Sequence, residues 1–102
     1  MKLLICTVGN EREAKRLSEV LVKEKLAACV NINSDVQSVY RWKDSIEKDN
    51  EALLLIKSTD EREKELINRI KDLHSYDNPE ILSFDVSDGS ENYIEWVENN
   101  VR

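Results

Sequence analysis

The stretch Cys29-Val30-Asn31-Ile32-Asn33-Ser34-Asp35-Val36-Gln37-Ser38-Val39-Tyr40-Arg41-Trp42 decides the fold. Val30, Ile32, Val36, Tyr40 and Trp42 fall on even positions, with Asn31, Asn33, Asp35, Gln37 and Arg41 between them. This two-residue alternation marks a half-buried strand. Lys43-Asp44-Ser45 supplies a turn, and from Ile46 the chain resumes, becoming fully apolar over Ala52 to Ile56. Two such runs joined by a short polar turn make a β-hairpin. Arms of about 14 residues at ~3.3 Å each run ~46 Å. A domain with a radius of gyration near ~13 Å is only ~34 Å across, so the hairpin is expected to overhang its own domain.

The flanks fit around this hairpin. Lys2 to Val8 is a short apolar run that reads as a buried strand. Asn10-Glu11-Arg12-Glu13 offers a helix cap with Glu three positions on, and Ala14, Leu17, Val20 and Leu21 then mark one helical face. After the hairpin, Thr59-Asp60-Glu61-Arg62-Glu63 opens a second helix with Leu66, Ile67, Ile70 and Leu73 inward. His74 through Pro79 end this helix, since Pro79 biases Asn78 away from helical backbone. Glu80 to Val86 reads as a fourth strand, and Tyr93, Ile94, Trp96, Val97 and Val101 as a short last helix. The order β-α-β-β-α-β plus a terminal helix is the split βαβ pattern: an α+β, ferredoxin-like fold with a long β2–β3 hairpin and a C-terminal helix. Right-handed crossovers place both long helices on one face of an antiparallel sheet of order 4-1-3-2, with the other face bare. One domain over residues 1–102 is expected, since no linker or internal repeat interrupts the chain.

Composition sets limits on function. The 102 residues carry a net charge of −6, with Lys and Arg interleaved among Asp and Glu rather than gathered into a stripe. Nucleic-acid binding needs such a basic stripe, so no nucleic-acid partner is expected. No apolar stretch approaches the ~20 residues that span a bilayer, and the apolar run at the N-terminus is too short for a signal peptide. With only Cys6 and Cys29, a disulfide-stapled secreted fold is not indicated, and a cytoplasmic location is expected. Gly9 and Gly89 are the only glycines, too few for a phosphate-binding cradle, and there is no Gly-x-Ser-x-Gly motif. An enzyme is not expected.

Two features call for a partner: the bare sheet face, and a hairpin tip carrying Val36, Val39, Tyr40, Trp42 and Ile46, poor choices for a solvated ribbon with open edges. Pairing with further copies of the chain meets both needs. The alternative is a bulge near Asn33-Ser34-Asp35 at which the hairpin folds back.

Several segments together resemble the CutA family of divalent-cation tolerance proteins. They are Ala27-Ala28-Cys29-Val30-Asn31-Ile32, the hairpin tip Ser38-Val39-Tyr40-Arg41-Trp42 with Ile46-Glu47, and Glu51 with Leu55-Ile56-Lys57-Ser58-Thr59. Ile70 through Ile81, containing His74-Ser75-Tyr76-Asp77-Asn78-Pro79-Glu80-Ile81, and Tyr93-Ile94-Glu95-Trp96 complete the set. The resemblance implies a homotrimer built through the long hairpin, an architecture similar to PII-type signalling proteins, a role in tolerance of copper and other divalent metals, and copper binding in some members. Asp44-Ser45 stands at the tip where the family carries Gly, and Asp tolerates left-handed backbone well enough to keep the turn. Ser75 stands where the family has Pro, which is expected to loosen the loop carrying His74.

Copper or another divalent ion would draw on His74, Cys6, Glu80 and Cys29, which supply soft and borderline donors. In the expected sheet, Cys6 at the end of the first strand lies near Glu80 at the start of the fourth, with His74 on the loop before it. These three are expected to converge. Cys29 lies two strands from Cys6, ~10 Å away, so it would join only from another subunit or form a separate site. Two functions follow: a homotrimer that binds divalent metal and supports metal tolerance, or a PII-like trimeric regulator that holds a small ligand or partner protein in clefts between subunits, with metal incidental.

Overall fold

A computed structural model describes all 102 residues. Its elements are β1 (Lys2–Val8), α1 (Glu11–Lys23), β2 (Cys29–Trp42), β3 (Ser45–Ser58), a 3-10 turn (Asp60–Arg62), α2 (Glu63–Leu73), β4 (Ile81–Asp85) and α3 (Glu91–Asn99). Asn10 caps α1, its side-chain oxygen accepting from the Glu13 N–H at 2.8 Å. The second helix starts later than its charge pattern suggests, because Asp60–Arg62 closes a tighter turn first.

The sheet is wholly antiparallel, in the order β2-β3-β1-β4. Strand alternation sorts its residues into two faces. Leu4, Cys6 and Val8 of β1 pair with Ile56, Leu54 and Ala52 of β3, and all six are buried beneath Ala14, Leu17 and Leu21 of α1 and Leu66 and Ile70 of α2. Leu3, Ile5 and Thr7 point the other way, beside Phe84, Leu82, Leu55 and Leu53. That second face is the one expected to be bare. Leu82 and Phe84 are indeed exposed on it. The terminal helix α3 packs only at the end of the sheet remote from the hairpin tip, where Val97 and Val101 meet Ala28 and Met1.

The hairpin stays extended. The molecule measures 45 × 25 × 22 Å, and the long dimension matches the arms of β2 and β3. The ladder shifts register between Asn33 and Val36, so a bulge is present there, yet pairing continues to Trp42 opposite Ser45. A bulge twists and bends a strand without ending it. The turn itself is Lys43-Asp44, both with positive φ (48° and 67°), as a two-residue hairpin loop of the right twist requires. Beyond the helices the ribbon exposes Val39 (63%), Ile46 (60%) and Trp42 (57%).

Candidate functional site

Beyond the bulge, β2 and β3 present different chemistry on their two faces. Cross-strand partners share a face: Ser38 with Asp49, Tyr40 with Glu47, and Val36 with Glu51. This row continues the helix-free side of the sheet, because Glu51, Asp49 and Glu47 follow Leu53 and Leu55 at two-residue spacing. It forms one wall of a cleft of about 550 Å³. Thr7 of β1 lies at the base, and the segment Tyr76-Asp77-Asn78 with Glu80 forms the opposite wall. Tyr40 and Trp42 complete the hairpin side.

Five carboxylates line this cleft (Glu47, Asp49, Glu51, Asp77 and Glu80), with no Lys or Arg among the lining residues. The Tyr76 hydroxyl donates to Glu51 at 2.9 Å, and the Tyr40 hydroxyl donates to Asp49. The hydrogen bond to Asp49 pushes the Tyr40 phenol up to about 12, and burial, with Glu51 second, does the same for Tyr76. Both rings therefore act as neutral donors that hold their carboxylates in place.

His74 has a structural task here. It follows α2, and its side chain is fully buried. The Tyr76 N–H donates to Nδ1 at 3.0 Å, so the ring proton sits on Nε2, which donates to the Thr7 carbonyl at 2.8 Å. The imidazole thus ties the Tyr76 wall of the cleft to the Thr7 floor. Ser75 reinforces the tie: its N–H and Oγ–H donate to the Glu13 carboxylate at 3.1 Å and 2.8 Å. The expectation of a loosened loop at Ser75 is corrected on this point, since the hydroxyl provides an anchor that a proline ring would lack.

The expected convergence of Cys6, His74 and Glu80 on one ion is not found. Cys6 does lie beside the start of β4, opposite Ile81. However, its side chain faces the helices in the core, whereas Glu80 lines the cleft on the open side with Thr7. Burial, with Glu80, Glu13 and Glu51 adding to it, pushes the Cys6 thiol up to about 12, which disfavours a ligating thiolate. Both ring nitrogens of His74 are already bonded. Cys29 sits at the remote end of the sheet, half-buried, with the Lys57 ammonium 3.9 Å from its sulfur. Nowhere in the chain do three His, Cys, Asp or Glu side chains gather closely enough to hold a metal ion. A divalent ion therefore does not fit these four residues within one chain.

Sequence reasoning took Tyr40 and Trp42 as interface residues and Glu80 as a metal ligand, and it missed the cleft that joins them. The missed signal was the two-residue spacing of Glu47, Asp49 and Glu51 beside Ser38, Tyr40 and Trp42.

Comparison with known proteins agrees with this fold. The family described as CutA1 divalent ion tolerance protein matches residues 2–100. The Divalent-cation tolerance protein CutA of Thermus thermophilus is 38% identical over 99 residues, covering 97% of this chain and 96% of that protein. The solved structure of the Thermus protein superposes with a TM-score of 0.96 over the whole of both chains. Protein CutA, chloroplastic, of Arabidopsis thaliana is 40% identical over 96 residues, and the match spans 94% of this chain but only 53% of that protein. The structure of the periplasmic divalent cation tolerance protein CutA of Archaeoglobus fulgidus, 30% identical, gives a TM-score of 0.95 with full coverage of both chains.

Proposed function

The chain belongs to the CutA1 divalent ion tolerance protein family, and on that premise we propose that it acts in divalent-cation tolerance as a homotrimer that holds copper or another divalent ion at the boundary between subunits. The observation that carries this reading is the placing of the five-carboxylate cleft on the overhanging hairpin, where a second copy would border it. Glu47, Asp77 and Glu80 make no hydrogen bond or ion pair within the chain and so have full capacity for a cation. Too dispersed to close a shell alone, they would need donors from a neighbouring subunit. Copper(II) stands highest among divalent first-row ions at a given oxygen or nitrogen site. The exposed Leu82 and Phe84 and the apolar hairpin residues supply the surface for assembly. No helix is long and apolar enough to cross a membrane. Two free thiols on separate strands suit the reducing cytoplasm, which is the proposed location.

The dispersal of the carboxylates favours a second reading: a regulator in the PII manner, whose cleft takes a small ligand while metal is incidental. Calorimetric titration with copper(II) and zinc(II), with mass read by light scattering, separates the two. A trimer whose stoichiometric binding is lost in Asp77→Asn/Glu80→Gln supports the metal reading. A monomer, or binding that ignores these substitutions, overturns it.

A further inference from the structure

We propose that the cleft under the hairpin binds an organic amine of the diamine or polyamine class. This rests on reading the cleft as a cation site, and it names a ligand that needs no metal.

Four observations point the same way. First, no Lys or Arg lines the cleft and Glu47, Asp77 and Glu80 have no partner in the chain, although the Lys43 ammonium stands over the Trp42 ring, 5.8 Å from its centroid. Second, the carboxylates are spread out rather than gathered. No three of them can share one ion. Glu47, Asp49 and Glu51 instead recur every second residue along β3, roughly 6.8 Å apart at ~3.4 Å per residue. That repeat suits the ammonium groups of an extended butylene diamine, whereas a compact ion meets only one step of the ladder. Third, the walls include Tyr40, Trp42 and Tyr76. Aromatic faces attract ammonium groups and cover the methylene chain between them, and a strongly hydrated metal ion gains neither contact. Fourth, Thr7 is only 8% exposed and lines the cleft floor. Its carbonyl accepts from His74, but its hydroxyl meets no protein partner. That hydroxyl opens to the cleft rather than being sealed in the core, and an ammonium N–H at the floor would take the place of water as its partner.

The test uses the intact protein with Trp96→Phe, which leaves Trp42 as its sole tryptophan. Spermidine is titrated in EDTA at physiological salt while Trp42 emission is followed. The expected result is a saturable change that an equal charge concentration of free Mg2+, added in excess over the EDTA, does not reverse. Glu47→Gln/Glu80→Gln should weaken binding at least tenfold with unchanged circular dichroism, each single substitution should weaken it in part, and Thr7→Val should weaken it several-fold. The proposal is overturned if Mg2+ displaces spermidine at matched charge, if the glutamine substitutions leave affinity unchanged, or if Trp42 emission does not respond, as when a neighbouring subunit fills the cleft. Because EDTA removes divalent ions, failure of the metal reading leaves this result untouched, and the reverse also holds.

Discussion

Replacing His74 by Ala tests whether the only histidine is a strut or a metal ligand. The substitution removes the acceptor of the Tyr76 N–H and the donor to the Thr7 carbonyl. A buried backbone group left without a partner costs about 1–3 kcal/mol, so two cost about 2–6. Water entering the vacated space recovers part of this, and a loss of about 3–4 kcal/mol is expected. For a chain of about 100 residues, at about 4–5 °C per kcal/mol, that lowers Tm by roughly 12–20 °C. Thermal melts followed by circular dichroism in EDTA, at one fixed protomer concentration, measure the drop without any contribution from metal. Gln in place of His74 keeps one of the two bonds and should fall between parent and Ala. The reasoning is refuted if His74→Ala melts within a few degrees of the parent in EDTA while losing a metal-dependent rise in Tm that the parent shows. That pattern would make His74 a ligand rather than a tie.

Further expectations can be checked directly. With its thiol near 12, Cys6 is ionised at pH 8 in on the order of one molecule in ten thousand, so iodoacetamide should label Cys29 and spare Cys6, counted by mass spectrometry of the folded protein. Leu54→Ala, at a fully buried position of the central strand, should cost about 2–5 kcal/mol in urea unfolding. Phe84→Glu lies on the exposed sheet face and should lower the mass seen by light scattering while leaving the circular dichroism spectrum intact. Tyr40 and Tyr76 have phenols raised to about 12 in the fold, against about 10 when unfolded, so the unfolded chain loses these protons first. The stability they contribute is complete below pH 10 and falls as pH rises toward 12, and absorbance at 295 nm should show all three tyrosines ionising late, since burial raises Tyr93 as well.

The fold was legible because its signals are local. The switch from the helical spacing of Ala14, Leu17 and Leu21 to the alternation after Cys29 marks where helix gives way to strand, and the length of the alternating run carries the overhang. The strand order followed from the split βαβ pattern, and the handedness of its crossovers put both long helices on one face. The site was less legible, for two reasons. A proximity argument along neighbouring strands brought Cys6 and Glu80 together correctly in the backbone, but it took no account of the face each side chain occupies. It also could not foresee that the chain's own amide and carbonyl groups would take both nitrogens of His74. Donor capacity depends on what else surrounds a residue, and a sequence pattern carries none of that.

The same residues that shape the cleft also make the hairpin a poor free ribbon, and this links assembly to ligand capture. Tyr40 and Trp42 belong to the overhang that calls for a second copy, and they line the cleft whose other wall is hung from His74. The acidic row Glu47-Asp49-Glu51 repels an identical row if two hairpins meet like face to like face. The opposite face of the hairpin carries Val39 and Ile46 with Arg41 and Lys48 as cross-strand neighbours. It is therefore apolar and basic where the first face is aromatic and acidic. Copies that meet unlike face to unlike face form a heterologous contact, and such contacts either close into rings or run on as filaments. A closed ring, such as the proposed trimer, would satisfy every hairpin and would leave each cleft bounded by two chains. In such a ring a cation bound in the cleft would report on assembly as well as on its own concentration.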